Sequence, residues 1–347
     1  MPAVIDVKAT VVQPKQLQAP SRLGAVKRER LRAPLRFMFY GAEGTGKSTL
    51  ASAAPEPIWL DADDGSGRLN VARYQFRDEP GGHVPQRYSE ILSAIYDLTV
   101  NPHPFKTLVL DTVDRIEAML WQHIIERESE PSARSKDGSL TSIESFGYGK
   151  GYVMAVDEWR ALCARLDRLR ASRGMSIVLI AHSIVKAYKN PTGPDYDRYQ
   201  PALHDKAAGF LKGWCDLTGF VRHEDDAAKE LGNKNGRPKG FSTGRRLLML
   251  SHSAAFDAKS RLALPEEIEI EIENPWAPLA AAVEAGYENE VPALKASIGE
   301  EVKRIGDPAL PDKVAAAVAG AKDDTAALSR ILAKLKDRPA VTNESQQ

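Results

Sequence analysis

The 347-residue sequence is poor in cysteine: Cys163 and Cys215 are all it has, and neither has a partner at zinc-ligand spacing. A disulfide framework and a cysteine-based metal finger are excluded, and both thiols read as core residues of a reducing compartment. No apolar run approaches the ~20 residues that a membrane span requires, and the N-terminal stretch lacks the apolar core of a signal peptide. A cytosolic protein with no membrane partner is therefore expected. Neither sign of charge is in excess, with 47 Lys and Arg against 47 Asp and Glu. Any nucleic-acid contact must then come from a local basic patch and not from the field of the whole molecule. The 43% hydrophobic and 27% charged content is ordinary for a soluble protein. The length suits one large α/β domain with additions, or two domains.

What is present is a phosphate-binding signature. Gly41-Ala42-Glu43-Gly44-Thr45-Gly46-Lys47-Ser48 follows the apolar run Phe37–Tyr40 and opens into Thr49-Leu50-Ala51. The pattern G-x-x-x-x-G-K-[ST] needs glycines so that the backbone can curl with its N–H groups inward around phosphate oxygens. Lys47 adds a point charge for the β/γ-phosphates, the helix start adds its dipole, and the Ser48 hydroxyl suits Mg²⁺. Gly41 to Thr49 are accordingly the expected contacts of a nucleoside triphosphate, with ATP and Mg²⁺ as ligands.

Four further short apolar runs follow: Pro57–Leu60 leading to Asp61, Thr107–Leu110 leading to Asp111, Met175–Ala181 leading to His182, and Leu217–Val221. Runs this short and this apolar suit strands buried on both faces of a parallel sheet. Helical periodicity over Ser89–Leu98, Val113–Ile125 and Val156–Ala171 separates them, which predicts a right-handed α/β fold. Arg222 to Gly244 reads as polar and turn-rich, with the basic stretch Asn233–Gly240. Arg245–Leu250 and the alternating Glu267–Ile272 look like antiparallel additions. Residues 1–33 read as a basic tail, either solvated or contacting phosphates. After the ATPase region, 34–274, a shift in composition marks a small helical module at 275–336. It contains Trp276–Ala285, Val291–Ile305, Pro311–Ala321 and Thr325–Lys336, and either caps the sheet or binds a partner. A polar tail follows at 337–347.

Several residues are placed to do chemistry. Asp111 ends an apolar strand and is expected to join Ser48 in holding the metal; Asp114, one turn into the next helix, is less well aimed. In Asp61-Ala62-Asp63-Asp64, at another strand end, Asp63 is the first choice to orient the attacking water and Asp64 the second. His182 is expected to end its strand beside the γ-phosphate as a sensor. The long segment after it interleaves cations and rings, namely Lys186, Tyr188, Lys189, Tyr196, Arg198 and Tyr199. That pattern suits single-stranded nucleic acid, with a packed, solvated loop as the competing reading.

This order of features resembles the RecA-type ATPase core: phosphate loop, Leu60–Asp63, Leu110-Asp111, Ile180–His182. The short helix after the loop, Phe146–Gly151 and Ile180–Ser183 are similar to phage-encoded RecA-like ATPases. The resemblance covers about Leu35 to Ile272. It implies a mostly parallel sheet whose core strands, numbered along the chain, lie in the order 5-1-4-3-2. It also implies an ATPase, stimulated by single-stranded DNA, that acts in recombination or annealing as a homo-oligomer. A recombination or single-strand-binding protein would be its partner. The location would be cytoplasmic, in the host if the chain is phage-encoded. Ala258–Pro265 looks like the family's V-K-N-K-x-A-A-P segment, which implies that Lys259 and Arg261 reach a neighbouring subunit's nucleotide. Two positions depart from the family: Asp63 stands where its water-orienting Glu is found, and His182 where its sensor is commonly Gln. The N-terminal polymerisation domain has no counterpart. Competing functions are a hexameric helicase or packaging motor, a small-molecule phosphotransferase, and a nucleotide-gated scaffold.

Overall fold

Five apolar runs lie side by side in the computed structural model, which describes residues 32–129, 140–228, 239–322 and 325–339. The expected N-terminal tail to Leu31, residues 229–238 with most of the basic stretch Asn233–Gly240, and the C-terminal tail beyond residue 339 lie outside the described residues. The chain runs through β1 (Arg36–Gly41), α1 (Lys47–Ser52), β2 (Pro57–Asp61), β3 (Ala72–Arg73), α2 (Tyr88–Val100), β4 (Thr107–Asp111) and α3 (Val113–Ser129). It continues with α4 (Lys150–Arg173), β5 (Ser176–Tyr188), β6 (Tyr196–Pro201), α5 (Asp205–Trp214), β7 (Leu217–Ala228) and β8 (Lys239–Met249). The remaining elements are β9 (Lys259–Ser260), β10 (Glu267–Glu269), α6 (Ala277–Ile305), α7 (Leu310–Ala321) and α8 (Thr325–Lys336).

The sheet order is β10-β8-β7-β1-β5-β4-β2-β3. The pairs from β7 through to β3 are parallel, whereas β8 and β10 add on antiparallel. The core strands β1, β2, β4, β5 and β7 therefore stand in the expected order 5-1-4-3-2, the layout of a RecA-like P-loop fold. Burial on both faces explains the unbroken apolar runs. Met38 and Tyr40 of β1 join Leu60, Leu110, Leu179 and the apolar sides of α2, α3, α4 and α5 in one core. Phe37 and Phe39, on the other face, pack with Trp59, Val109, Val178, Leu50 of α1 and Trp276 and Leu279 at the start of α6. A third core holds the C-terminal helices together through Ile298, Ile305, Leu310, Val314, Leu328 and Leu335.

Several boundaries differ from expectation. β5 does not end at His182 but runs on to Tyr188 and pairs antiparallel with β6, from Ser183↔Pro201 to Tyr188↔Tyr196. The expected loop is thus a hairpin, its apolar residues Ile184 and Val185 exposed and its Arg198 buried, so no regular apolar alternation advertises it. The polar segment after Val221 is also largely strand, paired from Phe220↔Met249 to Ala228↔Lys239. Of the alternating Glu267–Ile272 only Glu267–Glu269 pairs; Ile268 and Ile270 are buried, whereas Ile272 is 91% exposed. The first two C-terminal helices are one helix, α6, running through Pro292. A proline inside a helix costs about 3 kcal/mol. Here one end of α6 is anchored on the sheet and the other in the third core, which offsets that cost.

Candidate nucleotide site

β1 delivers the phosphate loop to the carboxyl edge of the sheet, and α1 begins at Lys47. Gly44 and Gly46 have φ of 74° and 97°, a region that favours glycine. Gly41 is glycine for another reason: a Cβ there would lie 2.1 Å from the Val221 carbonyl oxygen of β7. Thr45 closes the turn, its hydroxyl donating to the Ala42 carbonyl at 2.8 Å. Lys47 is buried and donates to the carbonyls of Gly41 and Ala42 at 3.0 and 2.7 Å, so its ammonium is held across the loop mouth. Burial lowers its pKa, opposed by the charge of Asp111.

Ser48 Oγ donates to Asp111 Oδ2 at 2.8 Å. Asp111 is buried at the end of β4, and burial pushes its carboxyl up to about 6. A hydroxyl and a reluctant carboxylate, held side by side on a helix and a strand, are the hard oxygen donors that a divalent cation such as Mg²⁺ takes. The residues present therefore fit that ion.

The acidic cluster after β2 divides its work. Asp61 is fully buried and accepts from the backbone N–H of Gly65 and Ser66 at 3.2 and 3.1 Å, so it shapes its own turn. Asp64, at φ 54°, has its carboxylate 3.0 Å from His83 Nε2 and does not join the phosphate-loop group. Asp63 does. Burial raises its pKa, His182 opposes that shift, and Asp114 and Arg115 also act on it. His182 stands opposite Gly41 in the β1–β5 register. Its Nδ1–H donates to Asp114 Oδ2 at 2.9 Å, and its backbone N–H to Asp114 Oδ1 at 3.0 Å. With Nδ1 so engaged, Nε2 is left as the ring's other polar atom. Asp114 is thus the positioning residue for the histidine, a role hidden in the sequence because the pair is separated by 68 residues.

The structure brings Gly41–Thr49, Asp111, Asp63 and His182 to one edge of the sheet. It places Lys259 and Arg261 at the opposite edge, where β9 pairs with the first residues of β7. Lys259 Nζ donates to the carbonyls of Lys212, Gly213 and Cys215 at 2.9–3.0 Å, closing the end of α5. Arg261 donates to Asp216 Oδ1 at 2.7 Å and to the Gly213 carbonyl at 2.9 Å.

The six expected nucleic-acid contacts all lie on or beside the β5–β6 hairpin, but they are not equivalent. Arg198 is buried, paired with Asp257, and donates to the carbonyls of Ser253 and Phe256, so its charge is spent inside the protein. Lys186 is tied to Asp205 at 2.6 Å and Lys189 to Asp195 at 2.5 Å. Tyr188 packs against Tyr196, with ring centroids 5.1 Å apart and the planes tilted by 40°. Tyr199 leans on Phe220 yet remains 41% exposed. It also lines a hollow of about 230 Å³ shared with Ala42, Glu43 and Thr45 of the phosphate loop. A larger cavity, about 670 Å³, lies between the start of α2 and α3 and holds none of the predicted site residues. The phosphate chemistry argues for the loop.

Among curated proteins no relative matches this chain. Among solved structures it is similar to the flagellar accessory protein FlaH from Methanocaldococcus jannaschii, at 11% identity and a TM-score of 0.30, over 70% of this chain and 86% of that one. It is similar also to the RadB recombinase, at 14% identity and a TM-score of 0.36, over 70% and 90% of the two chains. The model of the AAA domain family matches residues 33–262, about two thirds of the chain and the whole of the site just described. The chain belongs to the AAA domain family and carries the nucleotide-binding ATPase core of a P-loop protein.

Proposed function

We propose that this protein is a Mg²⁺-dependent ATPase that couples its nucleotide cycle to single-stranded DNA, in recombination or annealing of the phage type. The observation that carries the reading is the continuity of β5. The strand holding His182 at the phosphate-loop edge runs without a break into the hairpin that displays the cation and aromatic residues. A shift of His182 on loss of the γ-phosphate is then transmitted along a paired strand. Tyr199, which shares a hollow with Glu43 and Thr45, offers a second route between the loop and the hairpin.

Ser48 and Asp111 would hold the metal, which when bound neutralises charge on the β/γ oxygens. Lys47 binds the same oxygens from the chain itself. In hydrolysis the oxygen of a water bonds to the γ-phosphorus as the bond to the bridging oxygen breaks, and ADP departs with that electron pair. The water's proton passes to Asp63, whose raised pKa suits a general base. On the DNA side the accessible groups are Lys189, with a side chain 88% exposed, and the half-exposed Tyr199. Tyr148 adds a fully exposed ring in a left-handed turn between Gly147 and Gly149. That turn leads into α4, whose Tyr152 stacks on His204 beside the hairpin's end at 3.9 Å. Exposed rings and a lysine suit base stacking with phosphate contact. The proposal extends to an oligomer in which Lys259 and Arg261 exchange their partners within the chain for a neighbour's phosphates.

The test is ATP turnover with and without single-stranded DNA at low salt, for the wild type and for a Lys189→Glu/Tyr199→Ala double variant. Stimulation by DNA that the double variant loses, with basal turnover retained, supports the reading. Turnover indifferent to DNA, with no DNA binding at low salt, overturns it.

A further inference from the structure

One cation at the phosphate loop takes no part in the chemistry proposed so far. Arg246 lies on β8, opposite His223 of β7, and β7 in turn pairs with β1. Its side chain crosses back over β7 to the phosphate loop and occupies the space in front of Gly46. A Cβ added to Gly46 would stand 3.1 Å from Arg246 Cδ and 3.2 Å from its Nη1. The φ of 97° holds Gly46 to glycine, and the Arg246 side chain packs over the space that a Cβ would enter.

The neighbouring arginine makes the contrast. Arg245 points elsewhere and spends its guanidinium on Glu224 and Glu269. Arg246 is half-buried, and among the described residues none accepts a hydrogen bond from its side chain or pairs with its charge. A guanidinium has five donors in a rigid fork matched to carboxylate and phosphate oxygens. Half-burying it unpaired is unfavourable unless an anion completes the group. The loop it leans on is built to hold such an anion, and the carboxylates that balance Lys47 include Asp111, on the far side of β5 from β7 and β8.

We infer that Arg246 is a ligand of the nucleotide's phosphate chain, supplied by the same subunit as the loop. It acts with Lys47 and is independent of any neighbour's Lys259 or Arg261. The inference rests on the ATP-binding part of the proposed function and not on the DNA part. It also accounts for the antiparallel β7–β8 addition, an arm that carries one cation back to the site.

The test is calorimetric titration of the full chain, without DNA, with ATP, ADP and inorganic tripolyphosphate in the presence of Mg²⁺. Arg246→Ala and Arg246→Gln are expected to weaken ATP and tripolyphosphate binding by about 10- to 100-fold, the scale of hydrogen bonds to a charged group. Arg246→Lys, which keeps the charge but loses the fork, falls between them and the wild type. Arg245→Ala, the neighbouring control, leaves the affinity unchanged. Thermal melting without nucleotide shows whether each variant folds, and the glutamine variant keeps most of the side-chain volume should alanine fail. ATP binding by Arg246→Ala or Arg246→Gln within twofold of the wild type overturns the inference. If the wild type binds ATP but ignores DNA, the DNA reading fails and the role of Arg246 stands.

Discussion

Glu117 sits inside α3 with 3% of its surface exposed, accepting from the His204 backbone N–H at 2.9 Å and more weakly from Trp159 Nε1. Burial pushes its carboxyl up to about 7 from the ordinary value of 4.5, and the hydrogen bonds only partly oppose this. The folded chain therefore binds this proton more tightly than the unfolded chain does. The residue's contribution to stability is greatest below about pH 4.5 and is lost as pH rises through about 7. The shift corresponds to roughly 3 kcal/mol against the fold above that window. Glu117→Gln keeps an acceptor for His204 and removes the charge. It is expected to unfold at higher urea than the wild type at pH 8, and to lose that advantage at pH 4.5. Equal destabilisation at both pH values would show that the lost acceptor toward Trp159 outweighs the charge. The orientation of His182 is set at the same scale: its ring is held by Asp114, and neither residue signals the other in the sequence.

At the scale of elements, the site depends on how closely β1 approaches β7. Gly41→Ala puts a Cβ at 2.1 Å from the Val221 carbonyl oxygen, and a backbone atom cannot swing aside as a side-chain end can. The two strands must part where the phosphate loop begins. Gly44→Ala meets nothing within 4 Å and pays only for its φ of 74°, a strain of about 1–2 kcal/mol. Melting curves should place Gly41→Ala well below Gly44→Ala, and ATP affinity should fall with the former. Similar melting of the two variants would mean that β7 yields easily. The β5–β6 hairpin belongs to this scale as well. Its residues suggest a loop because strand prediction follows apolar alternation. Here Lys186 faces Arg198 and Tyr188 faces Tyr196 across the pair, and the apolar Ile184 and Val185 are adjacent instead of alternating.

For the whole molecule, assembly turns on what Lys259 and Arg261 do. Within one chain their side chains make five hydrogen bonds, three from Lys259 and two from Arg261, that fasten the end of α5 to the edge of the sheet. A role in a neighbour's site requires those bonds to be exchanged on assembly. Lys259→Met and Arg261→Met should then lower ATP turnover in the oligomer by more than tenfold while leaving ATP affinity intact, as loss of a charge-stabilising finger does. Light scattering on the same samples reports the assembly state. Oligomers of both variants with wild-type turnover would leave the two residues as a structural clasp.

The phosphate loop, the strand-end carboxylate Asp111 and the five core strands are legible in the amino-acid order alone. Each is written in contiguous residues: glycines at the turn, a lysine and hydroxyl just after it, and apolar runs of strand length alternating with helical periodicity. The different surroundings of Asp61 and Asp64 arise only in three dimensions, because one turn ties Asp61 to its own backbone and sends Asp64 to His83. The same holds for Asp114 orienting His182, for the burial of Arg198 and for the return of Arg246 to Gly46. Those pairings depend on strand register and on side chains brought together from distant elements. No local pattern encodes a neighbour that far along the chain.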